Sequence, residues 1–466
     1  MSNTRYAQFI QRYPQYAHTS LIDDLRQRDY PQLDRGKHIY LDYTGAGLYA
    51  HSQLEAHHLL LRESIFGNPH SYNPTSSHAT ELVEKTRADI LKFFNADPQE
   101  YTCIFTHNAS TALKLVGEGY PFGAGCRYLL SFDNHNSVNG IREYAIAKGA
   151  EVTYIPVILP DLRLDEPQLT AILKQIDSGC ANLFAYPAQS NFSGVQHDLT
   201  WIAHAQALGW DVLLDAAAFV PTNQLDLSLW KPDFVPISFY KLFGYPSGCG
   251  VLLARREKVK KLNRCWFAGG TTAVASVRGG KYYPADAPAG YEDGTLDFLN
   301  IPAIQFGLQH LAHIGYQLIH DRVATLTGWL LDELHALRHA NGKALIHIYG
   351  PLSTQARGGT VALNFFDQQG HIIPKQLLEE EANQRNISIR MGFFCNPGAG
   401  EIALDISTEE LSSCFTRPQY KSRISDLDFQ RCIDPKASGA VRVSVGLVSN
   451  FADVEAFLDY ARTFLS

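Results

Sequence analysis

The stretch DVLLDAAAFVPT (211–222), followed one strand later by FVPISFYKLFGYPSGCGVLLAR (234–255), decides the fold. In each, a short apolar run ends in a polar residue and gives way to small or turn-forming residues. The same unit occurs upstream as CIFT (103–106), RYLLSF (127–132), EVTYIPV (151–157) and NLFAYP (182–187), with helix-length segments between. Alternation of this kind from about Tyr40 to Ile301 predicts βαβ units and a mostly parallel sheet of seven strands covered by helices. Ligands of such open α/β sheets collect beyond the carboxyl ends of the strands, so the residues that end these runs are the ones to examine.

Beyond Pro302 a long apolar-periodic stretch, AIQFGLQHLAHIGYQLIHDRVATLTGWLLDELHAL, reads as a helical connection to a second unit. The remainder predicts strands at GTVALNFF (359–366), ISIRM (387–391) and AVRVSVGL (440–447) and helices at 374–384 and 450–465, a smaller α+β domain. With 466 residues the chain divides into two or three domains.

Charged residues make up 19% and the net charge is −7 with no long basic run, which argues against nucleic-acid or anionic-membrane partners and for small molecules or proteins. No apolar leader opens the chain and no uninterrupted apolar stretch approaches membrane-spanning length, so a cytoplasmic protein is expected. The eight cysteines contain no CxxC pair and predict reduced thiols, most of them buried, rather than disulfides or a zinc site. HExxH, GxxxxGK[ST] and GxGxxG are absent.

Four features fall at strand ends. THNASTALKL (106–115) passes from strand to helix, where Ala109, Ser110 and Thr111 offer N–H groups and hydroxyls to a phosphate; an ordinary helix cap without ligand is the alternative. Asp215 is a carboxylate at the end of a buried strand and needs a cationic or hydrogen-bonding partner. A protonated pyridine nitrogen is one such partner and helix capping is the other reading. Lys241 ends the next strand, where desolvation lowers an amine's pKa and suits it to imine formation with a carbonyl cofactor. Ser238 and Tyr240 precede it as further phosphate contacts. His135, in SFDNHNSVNGIRE (131–143), can stack on a flat ring and exchange protons, or be a surface-loop histidine.

The ordered set YLDYTGAG (40–47), FGNPHS (66–71), THNASTALKLVGE (106–118), DNHNSVNGIRE (133–143), DAAAFVPT (215–222), SFYKLFGYPSGCG (238–250), FAGGTT (267–272), YEDGTLDFLNIPAI (291–304), RMGFFCNPGAG (390–400) and GAVRVSVG (439–446) resembles the class V aminotransferase superfamily. Within it, the set is similar to the cysteine-desulfurase branch and to the N-terminal, NifS-like domain of molybdenum cofactor sulfurases. The resemblance implies the aspartate aminotransferase-like fold of pyridoxal 5′-phosphate (PLP) enzymes, fold type I. It implies an N-terminal segment (1–35) packing with the small domain, a large PLP-binding domain (36–305) and a small C-terminal domain (306–466).

It also implies roles. Lys241 carries PLP as an imine, Asp215 meets the pyridine nitrogen, His135 stacks on the ring and Asn191 lies by the phenolic oxygen. Ala109, Ser110, Ser238 and Tyr240 hold the phosphate, completed from a dimer mate by Gly270 and Thr271 or by Thr295. Arg442, with Asn191, receives the carboxylate of L-cysteine, and Cys395 accepts the sulfur, leaving alanine. A cysteine followed by Asn-Pro-Gly lies on a turn, which exposes the thiol. The sulfur then passes to an acceptor protein or to molybdenum cofactor. Phe393 and Gly400 stand where sulfurases of this type often have further cysteines, and Ala218 where many desulfurases have glutamine. The alternatives are a C–S lyase, epimerase or aminotransferase in which Cys395 is idle, and a non-catalytic scaffold, against which an intact Lys241 and Asp215 argue.

Overall fold

The computed structural model describes residues 2–176, 179–417, 423–433 and 439–466. All seven expected strands of the large sheet form: β1 (Tyr101–Thr106), β2 (Arg127–Ser131), β3 (Glu151–Ile155), β4 (Leu183–Pro187), β5 (Asp211–Asp215), β6 (Phe234–Ser238) and β7 (Gly250–Arg255). Their order across the sheet is β1-β7-β6-β5-β4-β2-β3. Only β7 runs against its neighbours, with Gly250 opposite Thr106 on one side and Ser238 on the other. The remaining neighbouring pairs are parallel, so Thr106, Ser131, Pro187, Asp215 and Ser238 end along one rim. β2, β4, β5 and β6 are buried along nearly their whole length, as expected of strands covered on both faces.

The stretch after Pro302 forms two helices, Ala303–Ile314 and Tyr316–Ala336, rather than one. Gly315 separates them at φ +85°, a left-handed conformation that glycine adopts without a Cβ penalty. A second, antiparallel sheet follows, in the order β8 (Ile346–Tyr349), β9 (Thr360–Phe365), β11 (Ala440–Ser444) and β10 (Arg390–Gly392). The N-terminal residues pack on this half of the chain: Phe9 stacks on Phe451 with ring centroids 4.9 Å apart, and the buried Arg26 pairs with Asp453 at 2.5 Å. Among the described residues no helix is long and apolar enough to cross a membrane.

One expectation is overturned. Cys414 and Cys432 form a disulfide, with Cα atoms 5.7 Å apart. Both lie on neighbouring helices, Thr408–Phe415 and Asp426–Ile433, whose packing brings the two Cβ positions together; the 18-residue spacing carries no sign of this. Cys103, Cys126 and Cys249 are buried free thiols, whereas Cys265 and Cys395 are exposed.

Candidate active site

A cavity of about 170 Å³ opens at the rim where the parallel strands end. Its lining comes from five strand-end loops: Asn108–Ser110 after β1, His135 and Ser137 after β2, Gln189 and Asn191 after β4, Ala217 and Ala218 after β5, and Tyr240–Lys241 after β6. Asp215 and Ser238, the last residues of their strands, complete the floor. Eight of the residues singled out in the sequence therefore share one cavity: Ala109, Ser110, His135, Asn191, Asp215, Ser238, Tyr240 and Lys241.

The titratable groups of the cavity act on one another. Burial of the Lys241 amine lowers its pKa, and the neighbouring Arg442 and Arg390 act in the same direction while Asp215 opposes them. Its Nζ makes no hydrogen bond or ion pair among the described residues. Asp215 accepts from the Ala217 N–H at 3.0 Å through Oδ1, closing a turn rather than capping a helix; among the described residues its Oδ2 makes no hydrogen bond, and the residue lines the cavity. Burial likewise lowers the pKa of His135, helped by Lys241. Its Nδ1 accepts from the Ser137 N–H at 3.1 Å, which leaves the proton of the neutral ring on Nε2.

Several polar groups are already paired with one another. The Ala109 N–H donates to Ser238 Oγ at 2.9 Å, and Ser110 Oγ lies 2.6 Å from Ser137 Oγ. Asn108 caps the helix Ala109–Gly119 by accepting from the Thr111 N–H at 2.9 Å, the ordinary cap that the motif allowed. Gly250 lets β7 pass this turn, since a Cβ there would stand 2.6 Å from the Asn108 Cα. Gly270, Thr271 and Thr295 lie outside the cavity in their own chain. Thr271 Oγ1 is spent on Ala268, Gly270 packs on the His70 ring, and Thr295 lines a separate cleft beside His107.

Cys395 is exposed and sits at φ +56°, as does Phe394 before it. Four hydrogen bonds tie this left-handed turn to the strand-end loops. The Asn136 N–H donates to the Cys395 carbonyl at 2.7 Å, Asn191 Nδ2 to the Phe394 carbonyl at 2.7 Å, and Asn396 Nδ2 to the Asp133 carbonyl at 2.7 Å. Asn396 also donates to Asn191 Oδ1 at 2.9 Å, and its own Oδ1 caps the helix Pro397–Ala403. Below the turn, Asp133 pairs with His197 at 2.8 Å in a fully buried contact. Asn396, Asp133 and His197 were not singled out in the sequence; the Asn-Pro-Gly following Cys395 was the only signal, and it marked a turn without naming what the turn holds.

Arg442 also lies just behind the cavity wall. Its Nη1 donates to the Asn191 carbonyl at 3.1 Å and its Nη2 to Asp42 Oδ1 at 2.8 Å, with the guanidinium 4.8 Å from the Phe394 ring. The same Asp42 receives Arg390, from Nη2 at 2.6 Å and from Nε at 3.0 Å. Asp42 belongs to YLDYTGAG and Arg390 to RMGFFC, both quoted for their resemblance and neither given a role.

The family model for class-V aminotransferases matches residues 39–457. The chain belongs to that family. It is 36% identical to the molybdenum cofactor sulfurase of Solanum lycopersicum over 95% of its own length and 57% of that protein. It is 36% identical to the human molybdenum cofactor sulfurase over 94% and 51% respectively, so the chain spans about half the length of the curated relatives it matches. Among solved structures, a cysteine desulfurase from Thermococcus onnurineus superposes with a TM-score of 0.75 at 22% identity, covering 95% of this chain and 98% of that one. These neighbours share the fold that the seven-stranded sheet and its strand-end cavity define.

Proposed function

We propose that the protein is a PLP-dependent cysteine desulfurase that takes sulfur from L-cysteine onto Cys395 and releases alanine. The observation that carries this reading is the attachment of the Cys395 turn to Asn191, a residue of the cavity wall. The exposed thiol therefore belongs to a turn bonded to the wall of the cavity that contains Lys241. A lyase, epimerase or aminotransferase needs the cavity and has no use for that attachment.

The residues present fit PLP. Lys241 offers an amine whose pKa burial lowers, Asp215 a carboxylate oxygen without a hydrogen bond among the described residues for a protonated pyridine nitrogen, and His135 a ring on the cavity wall whose pKa burial also lowers. Ala109, Ser110, Ser238 and Tyr240 group at the cavity end formed by the helix Ala109–Gly119, where the helix N-terminus favours an anion. When bound, PLP supplies a carbonyl for covalent attachment and a ring that withdraws electrons from the substrate's α-carbon. Lys241 is the base that removes the α-proton, and Asn191 and Arg442 orient the substrate carboxylate. The Cys395 thiolate attacks the substrate sulfur, so that an S–S bond forms as the Cβ–S bond breaks. The bonding pair and a proton go to the carbon that becomes the alanine methyl. Cysteine plus enzyme thiol thus gives alanine plus enzyme persulfide, with no other oxidant or reductant.

The finer reading is a cytoplasmic homodimer that hands sulfur to an acceptor protein or to molybdenum cofactor, with domains at 1–35, 36–305 and 306–466. Exposed Val274, Val277 and Tyr283, beside the Gly270–Thr271 turn, support an interface at which that turn or Thr295 reaches a neighbouring chain's phosphate site. The test is incubation of the purified, PLP-loaded protein with L-cysteine. Alanine and a persulfide on Cys395 are expected in equal amounts, and Cys395→Ser should abolish both. Alanine and sulfide released at the original rate by Cys395→Ser would replace the desulfurase with a C–S lyase.

A further inference from the structure

The proposed function accounts for Arg442 and leaves unexplained why a carboxylate of the chain itself already occupies it. Asp42 lies between two guanidinium groups with its side chain 11% exposed; Arg442 on one side is 3% exposed and Arg390 on the other is 50% exposed. Both arginines come from adjacent strands, β11 and β10, where Arg390 and Arg442 are directly paired in register. Asp42 arrives from the segment that bridges to Ser444, and Thr44 fixes that segment by donating its N–H to Ser444 Oγ at 3.0 Å. Gly45 completes the clasp, since a Cβ there would stand 2.5 Å from Asp42 Oδ2 and 2.7 Å from Arg390 Nη2. A larger side chain at this position would have to displace the carboxylate or the guanidinium.

The two arginines are not equally engaged. Arg442 spends one Nη2 bond on Asp42, turns Nη1 to the Asn191 carbonyl, and keeps a buried Nε with no partner. Donor capacity therefore remains for one incoming carboxylate. Arg390 donates to Asp42 from both Nε and Nη2, the edge with which a guanidinium grips a carboxylate bidentately. Arg390 is nevertheless the half-exposed member of the pair, and its charge is felt at Tyr240 and Lys241, both of which line the cavity. Two positive charges against one negative leave a surplus of one, which matches one carboxylate and not two.

We infer that Asp42 is a specificity-determining residue: by occupying Arg390 it denies the site a second anion-binding arginine and excludes amino acids whose side chain carries a carboxylate or sulfinate. The inference rests on the reading that Arg442 receives the α-carboxylate. It concerns binding alone and is independent of sulfur chemistry at Cys395.

The test compares binding of L-alanine and L-aspartate to the PLP-loaded protein, by calorimetry and by the change in cofactor absorbance. Asp42→Asn, which keeps the side-chain shape, should raise the affinity for L-aspartate relative to L-alanine by about tenfold, the scale of one charge-assisted hydrogen bond gained. Combining it with Arg390→Gln should remove that gain. Arg390→Gln alone should leave the ratio at its original value, and this variant decides the matter if Asp42→Asn fails to fold. An unchanged ratio in folded Asp42→Asn overturns the inference, as does a tenfold fall in the ratio on Arg390→Gln alone, which would mean that Arg390 already receives side-chain anions. If Arg442→Gln leaves L-alanine binding unaltered, it is the underlying placement of the α-carboxylate that fails.

Discussion

The cavity floor and the Cys395 turn are held by different means. Asp215, Ser238 and Lys241 stand at or just past the ends of strands whose position is set by β-ladder pairing on both sides and by complete burial. Displacing one of them requires shifting a strand within a seven-stranded sheet. The Cys395 turn has no ladder of its own and is held by four hydrogen bonds made through Asn136, Asn191 and Asn396 together with the packing of Phe394 on Phe192. Such a turn opens at far lower cost than a core strand. The difference suits the proposed function, in which Cys395 would have to meet both a substrate in the cavity and an acceptor outside it.

The sharpest way to break this comparison is at Lys241. Lys241→Ala should fold, since deleting a buried amine with no partner removes no native hydrogen bond, and should lose covalent attachment of PLP and essentially all turnover. Borohydride reduction of the original protein should place the pyridoxyl adduct on Lys241 by mass spectrometry; an adduct on another lysine would remove the floor from the chemistry. Next in size is Asp215→Ala. Losing a buried charge-assisted hydrogen bond costs on the order of 1.5–3 kcal/mol, equivalent to a fall of about 10- to 150-fold in turnover. PLP retention should change less than turnover, because the phosphate contacts remain. Normal turnover in this variant would mean that another acid faces the ring.

Asn396→Ala addresses the turn. It removes the hydrogen bonds to the Asp133 carbonyl and Asn191 Oδ1, each worth about 0.5–1.5 kcal/mol, and leaves buried acceptors unpaired. Persulfide formation should fall about tenfold while the cofactor spectrum and amino-acid binding stay as before. If spectrum and persulfide formation fell together, floor and turn would be one mechanical unit, contrary to the comparison.

The same division explains what could be read in the sequence. β1 to β7 are continuous apolar runs ended by turn residues, and that local pattern identified every strand along with Asp215 and Lys241 at their ends. His135 was legible for the same reason. Asp42 and Arg442 are separated by 400 residues, and nothing local to either announces the other. Asn396 looked like part of a turn because its partners Asp133 and Asn191 arrive from different strands. The disulfide between Cys414 and Cys432 depends on how two helices pack, and Gly315 showed its helix-breaking role only through its backbone conformation. Pattern along the chain reveals residues whose neighbours are sequential; clasps between distant segments need the fold.

The smallest expected effect concerns His135, which belongs to the floor although it sits on a loop. Burial, with Lys241 and Arg442 nearby, lowers its pKa from the usual 6.5, and Asp215 opposes them only in part. In the unfolded chain the ring takes up a proton near its ordinary value, so between that value and the lower folded one the unfolded state binds more protons. Stability associated with His135 is therefore full above about pH 6.5 and is lost as the pH falls through the folded value. His135→Asn removes the titration and keeps an acceptor for the Ser137 N–H, since asparagine is a favoured cap. Denaturant midpoints of the cofactor-free protein between pH 4.5 and 8 should show a shallower acid-side decline, by at most one proton's worth, about 1.4 kcal/mol per pH unit. Above pH 7 the two proteins should be nearly equal. An unchanged acid limb would show that the ring titrates in the folded protein as it does in water, and His135 would then have to be placed with the Cys395 turn rather than with the buried floor.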